Sequence, residues 1–128
     1  MVRSVVAIDD DVDTLEALSI ALKMHGYGVY TACTGMEGIQ LVRLHQPDLI
    51  LVDVMLPRMD GYQVCRQLRA DPATAHIPIV MVSARGRLAD QAAGIEAGAT
   101  RYVLKPLSIR SLVTLVDALT SVPAPVAL

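Results

Sequence analysis

The chain of 128 residues has no phenylalanine and no tryptophan, and only four tyrosines. Proteins that bind nucleic acid by stacking its bases need aromatic faces, and a formal net charge of −2 offers little to phosphates. These two shortages argue against direct binding of nucleic acid. The two cysteines, Cys33 and Cys65, are too few for a disulfide framework and show no metal-binding spacing. Both are expected as small core side chains. No stretch approaches the roughly 20 consecutive apolar residues of a membrane span. The opening MVRSVVAIDDD meets acid too early for a secretion signal, so the expected setting is cytoplasmic, away from membranes.

What the chain has in quantity is aliphatic residue, with 53% hydrophobic overall. Five apolar, β-branched runs recur at similar intervals, over residues 5–8, 29–32, 49–52, 77–82 and 102–104. Helical patterns lie between them. Leu15, Leu18 and Leu22 share one face of the first. Thr34 and Glu37 have the spacing of a capping box for the second, and Asp60 can cap a third that ends near Asp71-Pro72. The fourth spans 87–97 before Gly98, and Ser108 can cap the fifth. Strand and helix therefore alternate five times. Continuous apolar strands imply an α/β fold, a parallel sheet covered by helices on both faces. Residues 122–128, VPAPVAL, read as a terminus or the start of a linker.

In such a sheet, ligands gather beyond the carboxyl ends of the strands. Asp9, Asp10 and Asp11 follow the first run, Asp53 the third, Ser83 the fourth, and Lys105-Pro106 the fifth. Asp11 reads as a helix cap. Crowded carboxylates need a proton or a cation, and a hard divalent ion such as Mg²⁺ suits oxygen ligands. No His/Cys cluster competes for a softer metal. A carboxylate beside such an ion can attack phosphorus, and the transfer then rests on positioning and charge neutralisation. Lys105 would supply positive charge and Ser83 a hydroxyl.

The segments VVAIDDDVD, PDLILVDVMLPRMDGYQVCRQLR, IPIVMVSAR and GIEAGATRYVLKPL together resemble the receiver domain of bacterial two-component response regulators, over nearly the whole chain. The resemblance implies a flavodoxin-like, doubly wound (βα)5 sheet in the order 2-1-3-4-5, with residues 1–121 as the receiver. It implies that Asp53 is the phosphoacceptor and that Mg²⁺ is bound by Asp10 directly, by Asp9 largely through water, by Asp53, and by the backbone carbonyl of Met55. It implies that Ser83 and Lys105 bind the phosphoryl group, that Tyr102 is an aromatic switch, and that the Lys105–Pro106 bond is cis. Pro57 and Gly61 match the turn after the phosphorylation site. The implied donor is a sensor histidine kinase or a histidine phosphotransfer protein. The implied output face, made by helix 4, strand 5 and helix 5, would serve a downstream protein, an attached effector or a second copy of the chain. Leu107 stands where the family usually has Phe, and Arg101 where many DNA-binding members have an acid.

Two other readings fit less well. A small Mg²⁺-dependent phosphohydrolase working through an aspartyl-phosphate usually wants an Asp two residues beyond its nucleophile, where this chain has Met55. A flavin-binding relative of the same fold would want a glycine- and hydroxyl-rich phosphate loop in place of Asp9–Asp11. A signalling phosphoacceptor rather than an enzyme is the expectation. His25, His45 and His76 are expected at surface or boundary positions, and Met24, Met36, Met59 and Met81 as packing residues.

Overall fold

Each strand runs into a helix that returns across the sheet. A computed structural model describes residues 2–121, in the order β1 (Ser4–Ile8), α1 (Val12–Met24), β2 (Gly28–Ala32), α2 (Gly35–His45), β3 (Leu49–Asp53), α3 (Gly61–Ala70), β4 (Ile79–Ser83), α4 (Leu88–Ala97), β5 (Arg101–Leu104) and α5 (Ile109–Thr120). The segment 122–128, read as a tail, lies outside the described residues. The five strands are parallel and ordered β2-β1-β3-β4-β5, as expected.

The pleat sends alternate residues of each strand to opposite layers. Val6, Ile8, Ile50, Val52, Ile79 and Met81 pack with Ile39, Val42, Val64 and Leu68 of α2 and α3. Val5, Ala7, Leu49, Leu51 and Val80 pack with Leu15, Leu22, Leu112 and Val116 of α1 and α5. Central strands buried on both sides explain why residues 49–52 form an unbroken apolar run. The outer strands β2 and β5 are partly exposed. Among the described residues, no helix is long and apolar enough to cross a membrane.

Four helices begin at side chains that accept hydrogen bonds from first-turn N–H groups: Asp11, Thr34, Asp60 and Ser108. The reciprocal box is at α3 rather than α2. Asp60 Oδ1 accepts from Gln63 N at 2.9 Å, and Gln63 Oε1 accepts from Asp60 N at 3.0 Å. At α2 only the Thr34 half forms, and Glu37 stays in solvent. The fourth helix starts at Leu88, with Arg87 as an N-cap that makes no side-chain capping bond. β4 starts at Ile79, not at residue 77, because Pro78 has no N–H to give the ladder. Ile77 is nonetheless buried.

Packing corrects three further expectations. Cys65 is buried, but Cys33 is exposed in the turn after β2. Met81 is fully buried and Met59 partly so, whereas Met24 and Met36, at helix ends, are exposed. The histidines lie at the surface or its boundary as expected, with the His45 ring stacked on Tyr30 at 3.7 Å.

Candidate functional site

The carboxyl ends of β1, β3, β4 and β5 deliver Asp9, Asp53, Ser83 and Lys105 to one edge of the sheet. Asp53 is the last residue of β3, still paired with Val82 of β4. It is buried, and both of its oxygens are held. Oδ1 accepts from the Met55 N–H at 2.8 Å, and Oδ2 accepts from Lys105 Nζ at 2.8 Å. Asp9 is buried as well; its Oδ1 accepts from Asp11 N at 3.0 Å and its Oδ2 from Lys105 Nζ at 3.2 Å. The ammonium thus bridges two buried carboxylates from different strands.

Lys105 is carried there by its backbone. Its N–H donates to the carbonyl of Ser83 at 2.8 Å, extending the β4–β5 ladder past Leu104, and the Lys105–Pro106 bond is cis. Ser83 is completely buried, and its Oγ accepts from Arg85 N at 3.0 Å. Asp10 is exposed beside the pair. One oxygen each from Asp9, Asp10 and Asp53 lies within 4.8 Å of the others. Asp11 turns away and caps α1 through Asp13 N and Thr14, and those hydrogen bonds hold its carboxyl below the usual range.

Electrostatics follow from this crowding. Burial pushes the Asp9 carboxyl above its ordinary value, and the charge of Asp53 adds to that; the Asp11 N–H and Lys105 oppose it. Burial acts to lower the Lys105 ammonium, but the hydrogen bonds and charges of Asp53 and Asp9 outweigh it and the net shift is upward. The set suits a hard divalent cation: three carboxylate oxygens and no soft ligand. Asp9, Asp10 and Asp53 could therefore hold Mg²⁺, Asp10 being the exposed member of the three.

The loop after β3 is pressed against α3. A Cβ on Gly61 would lie 2.5 Å from the carbonyl oxygen of Asp53, so only glycine lets the helix start this close to the phosphoacceptor candidate. Beside the carboxylates a pocket of about 420 Å³ is lined by Asp10, Met55, Pro57, Tyr62 and Arg85, among others. On the other side a more apolar cavity of about 400 Å³ lies between α1, α5 and the sheet, and Leu107 lines it. A Phe at 107 would take up part of that space.

Tyr102 stands apart from the carboxylates. Its ring is half-buried against α4, and its hydroxyl donates to the carbonyl of Arg85 at 2.9 Å. Ser83 and Tyr102 therefore hold the N–H and the C=O of the same residue. Sequence reasoning passed over two neighbours. Tyr62 donates to the carbonyl of Asp90 at 3.2 Å, and burial, followed by Tyr102, pushes its hydroxyl up to about 12. Arg69 donates to the carbonyls of Ala75, Ile77 and Gly98 at 2.8, 2.6 and 2.8 Å, tying α3 to the start of β4 and the end of α4. Neither residue carries a spacing signal, since Tyr62 bonds a backbone group 28 positions on and Arg69 gathers carbonyls 6, 8 and 29 positions on, outside any helical or strand period.

Comparison with known proteins agrees with this geometry. The family model of the response regulator receiver domain matches residues 5–117. The chain is 42% identical over 115 residues to the DNA-binding dual master transcriptional regulator RpaA of Synechocystis, covering 90% of this chain and 48% of that protein. It spans about half the length of the curated relatives it matches. Among solved structures, the chemotaxis protein CheY4 of Vibrio cholerae superposes with a TM-score of 0.88 at 26% identity, covering 93% of this chain and 99% of that one. A two-component response regulator from Clostridium difficile gives 0.86 at 26% identity, covering 91% and 94%.

Proposed function

The chain belongs to the response regulator receiver domain family, and on that premise we propose that Asp53 accepts a phosphoryl group from a sensor histidine kinase or a histidine phosphotransfer protein. The observation that carries this reading is the Lys105 ammonium bridging Asp53 and Asp9 beside a third carboxylate. Asp9, Asp10, Asp53 and the backbone carbonyl of Met55 would hold Mg²⁺. Bound there, the ion would supply positive charge to the phosphoryl oxygens and relieve the repulsion among the carboxylates.

The chain's own residues do the rest. A carboxylate oxygen of Asp53 forms the bond to phosphorus while the bond from phosphorus to the donor's histidine nitrogen breaks. That nitrogen keeps the electron pair and is reprotonated. Lys105, already at Asp53, neutralises charge on the transferred group, and the Ser83 hydroxyl donates to one of its oxygens. Met55 offers an apolar side chain, about half exposed, where a hydrolase would want an acid, which favours storing the phosphoryl group over turning it over. Only slow self-dephosphorylation is expected, in the cytoplasm.

The output runs through Arg85. A Ser83 hydroxyl drawn to a phosphoryl oxygen changes its bond to the Arg85 N–H, and the Arg85 carbonyl holds Tyr102. Phosphorylation then biases α4, β5 and α5 between two packings. Arg101 and Arg110 are exposed on that face, whereas Arg87 is engaged by Asp90 at 3.0 Å. A downstream partner, an attached effector or a second copy that meets the face would present acidic groups. Residues 1–121 are the receiver, and 122–128 are its tail or the start of a linker.

The test is incubation with Mg²⁺ and acetyl phosphate or a phosphorylated histidine kinase, read by intact-protein mass. One phosphoryl group should be gained, and both Asp53→Asn and EDTA should prevent it. Unchanged labelling of the Asn variant would refute the assignment.

A further inference from the structure

The arginines of this chain divide into those already engaged and those that are not. Arg43 pairs with Asp71 at 3.2 Å, Arg87 with Asp90, and Arg69 is bound to three carbonyls. Among the described residues, four arginines make no side-chain hydrogen bond or ion pair: Arg85 beside the carboxylates, Arg110 on α5, and the pair Arg58 and Arg66. The last two line one cleft of about 330 Å³ with Met59, Gln63 and Gln67, and none of the lining residues is acidic.

The backbone supplies a second observation. Arg58 sits at φ 65, in the left-handed region where glycine is the low-strain choice. A long cation at such a position costs free energy, and strain of this kind gathers where a side chain has a task. The Pro57–Met59 turn, in which Met59 N donates to Pro57 O at 2.8 Å, places Arg58 across the cleft from Arg66 on α3.

We propose that this cleft is a docking site for an acidic peptide segment of a partner protein, with carboxylates on Arg58 and Arg66. Guanidinium forks match carboxylates in two-point hydrogen bonds. Gln67 offers both a donor and an acceptor, as a peptide backbone requires, and Met59 gives a partly buried apolar floor. A nucleic acid fits worse: no aromatic side chain lines the cleft, and two cations give few phosphate contacts. The site is separate from the α4–β5–α5 face. It follows Asp53 by one loop, and its lining includes none of the carboxylates of the proposed phosphorylation site.

The experiment is an NMR titration of the isotope-labelled protein with a synthetic Asp/Glu-rich peptide, a Lys-rich peptide of equal length, a DNA duplex and inorganic phosphate. Arg58→Gly removes the cation while suiting the backbone, so loss of binding cannot be put down to misfolding; Arg66→Ala changes an exposed helix position. The acidic peptide should shift resonances at residues 57–67, weaken as salt is raised, and bind roughly tenfold less well to the double variant, the scale expected for two exposed charge pairs. The Lys-rich peptide should do nothing. No shift at residues 57–67 with the acidic peptide, shifts at those residues that survive the double variant, or tighter binding of DNA or phosphate at the same residues would each overturn the proposal. Acetyl phosphate labelling of the double variant should equal that of the parent, so failure here is distinguishable from failure of the phosphoacceptor reading.

Discussion

The ring of Tyr102 lies where a side chain on Gly94 would be: a Cβ there would come within 2.6 Å of the ring's Cδ2. The same Cβ would sit 3.2 Å from Met81 Sδ, so the ring is wedged between helix α4 and the sheet. Glycine inside a helix lowers its stability, and here the loss admits an aromatic ring. Gly94→Ala should destabilise the fold by about 1–2 kcal/mol, the overpacking penalty less the gain in helix propensity. With Tyr102→Ala already present, the same change should be neutral or stabilising. Urea unfolding of the four proteins measures this coupling, and additive effects would mean the ring and the glycine do not depend on one another.

Asp9 should make stability depend on pH. Its folded carboxyl holds a proton more tightly than the ordinary 3.8, because it is buried and faces Asp53. The folded state then binds more protons than the unfolded one, so stability is lost as pH rises from 3.8 through the raised value. In metal-free buffer, Asp9→Asn should raise the urea midpoint at neutral pH, and the difference should shrink in acid. Lys105 shifts stability in the same direction but at much higher pH. Its folded pKa lies above 10.5, so its stabilisation is full below that value and fades as pH climbs through the folded one.

Arg69 should matter to folding more than its partial exposure suggests. Its guanidinium meets the carbonyls of Ala75, Ile77 and Gly98. Removing it leaves three acceptors to find other donors, so Arg69→Ala should cost about 2–3 kcal/mol. Arg69→Lys should recover only part, since an ammonium cannot reproduce the planar fork. Urea midpoints of the two variants check both statements.

Met55 and Arg85 line the pocket of about 420 Å³ beside the carboxylates. Replacing both with alanine should open it to water and shorten the life of the phosphorylated protein severalfold. Decay followed after removal of the phosphodonor measures this, and identical decay in parent and variant would show that neither side chain screens the phosphoryl group.

The unbroken apolar run 49–52 announced a strand buried on both faces, and Asp53 at its end announced an edge where chemistry could sit. Parallel strands with right-handed crossovers left few topologies, which is why placing Asp9, Asp53, Ser83 and Lys105 together needed no coordinates. The caps at Asp11, Asp60 and Ser108 were equally legible, because a cap is a contact within one turn. The α2 box was misjudged because the Thr/Glu spacing shows that a reciprocal bond is within reach without saying that the Glu side chain turns to make it. Cys33, Met24 and Met36 were placed inside on residue type alone, while each sits in a turn or at a helix end that the sheet does not cover.

By itself, the sequence determined the order of elements, the two-layer core and the edge that carries the carboxylates, since burial and capping act over a few residues and leave periodic traces. Only the tertiary structure decided which groups meet. Lys105 bonds Asp9 across 96 positions and Asp53 across 52. Tyr102 finds the gap at Gly94, Arg69 reaches the carbonyl of Gly98 across 29 positions, and Arg58 faces Arg66 across a cleft. These contacts depend on how whole helices seat on the sheet, and packing at a distance leaves no period in the chain.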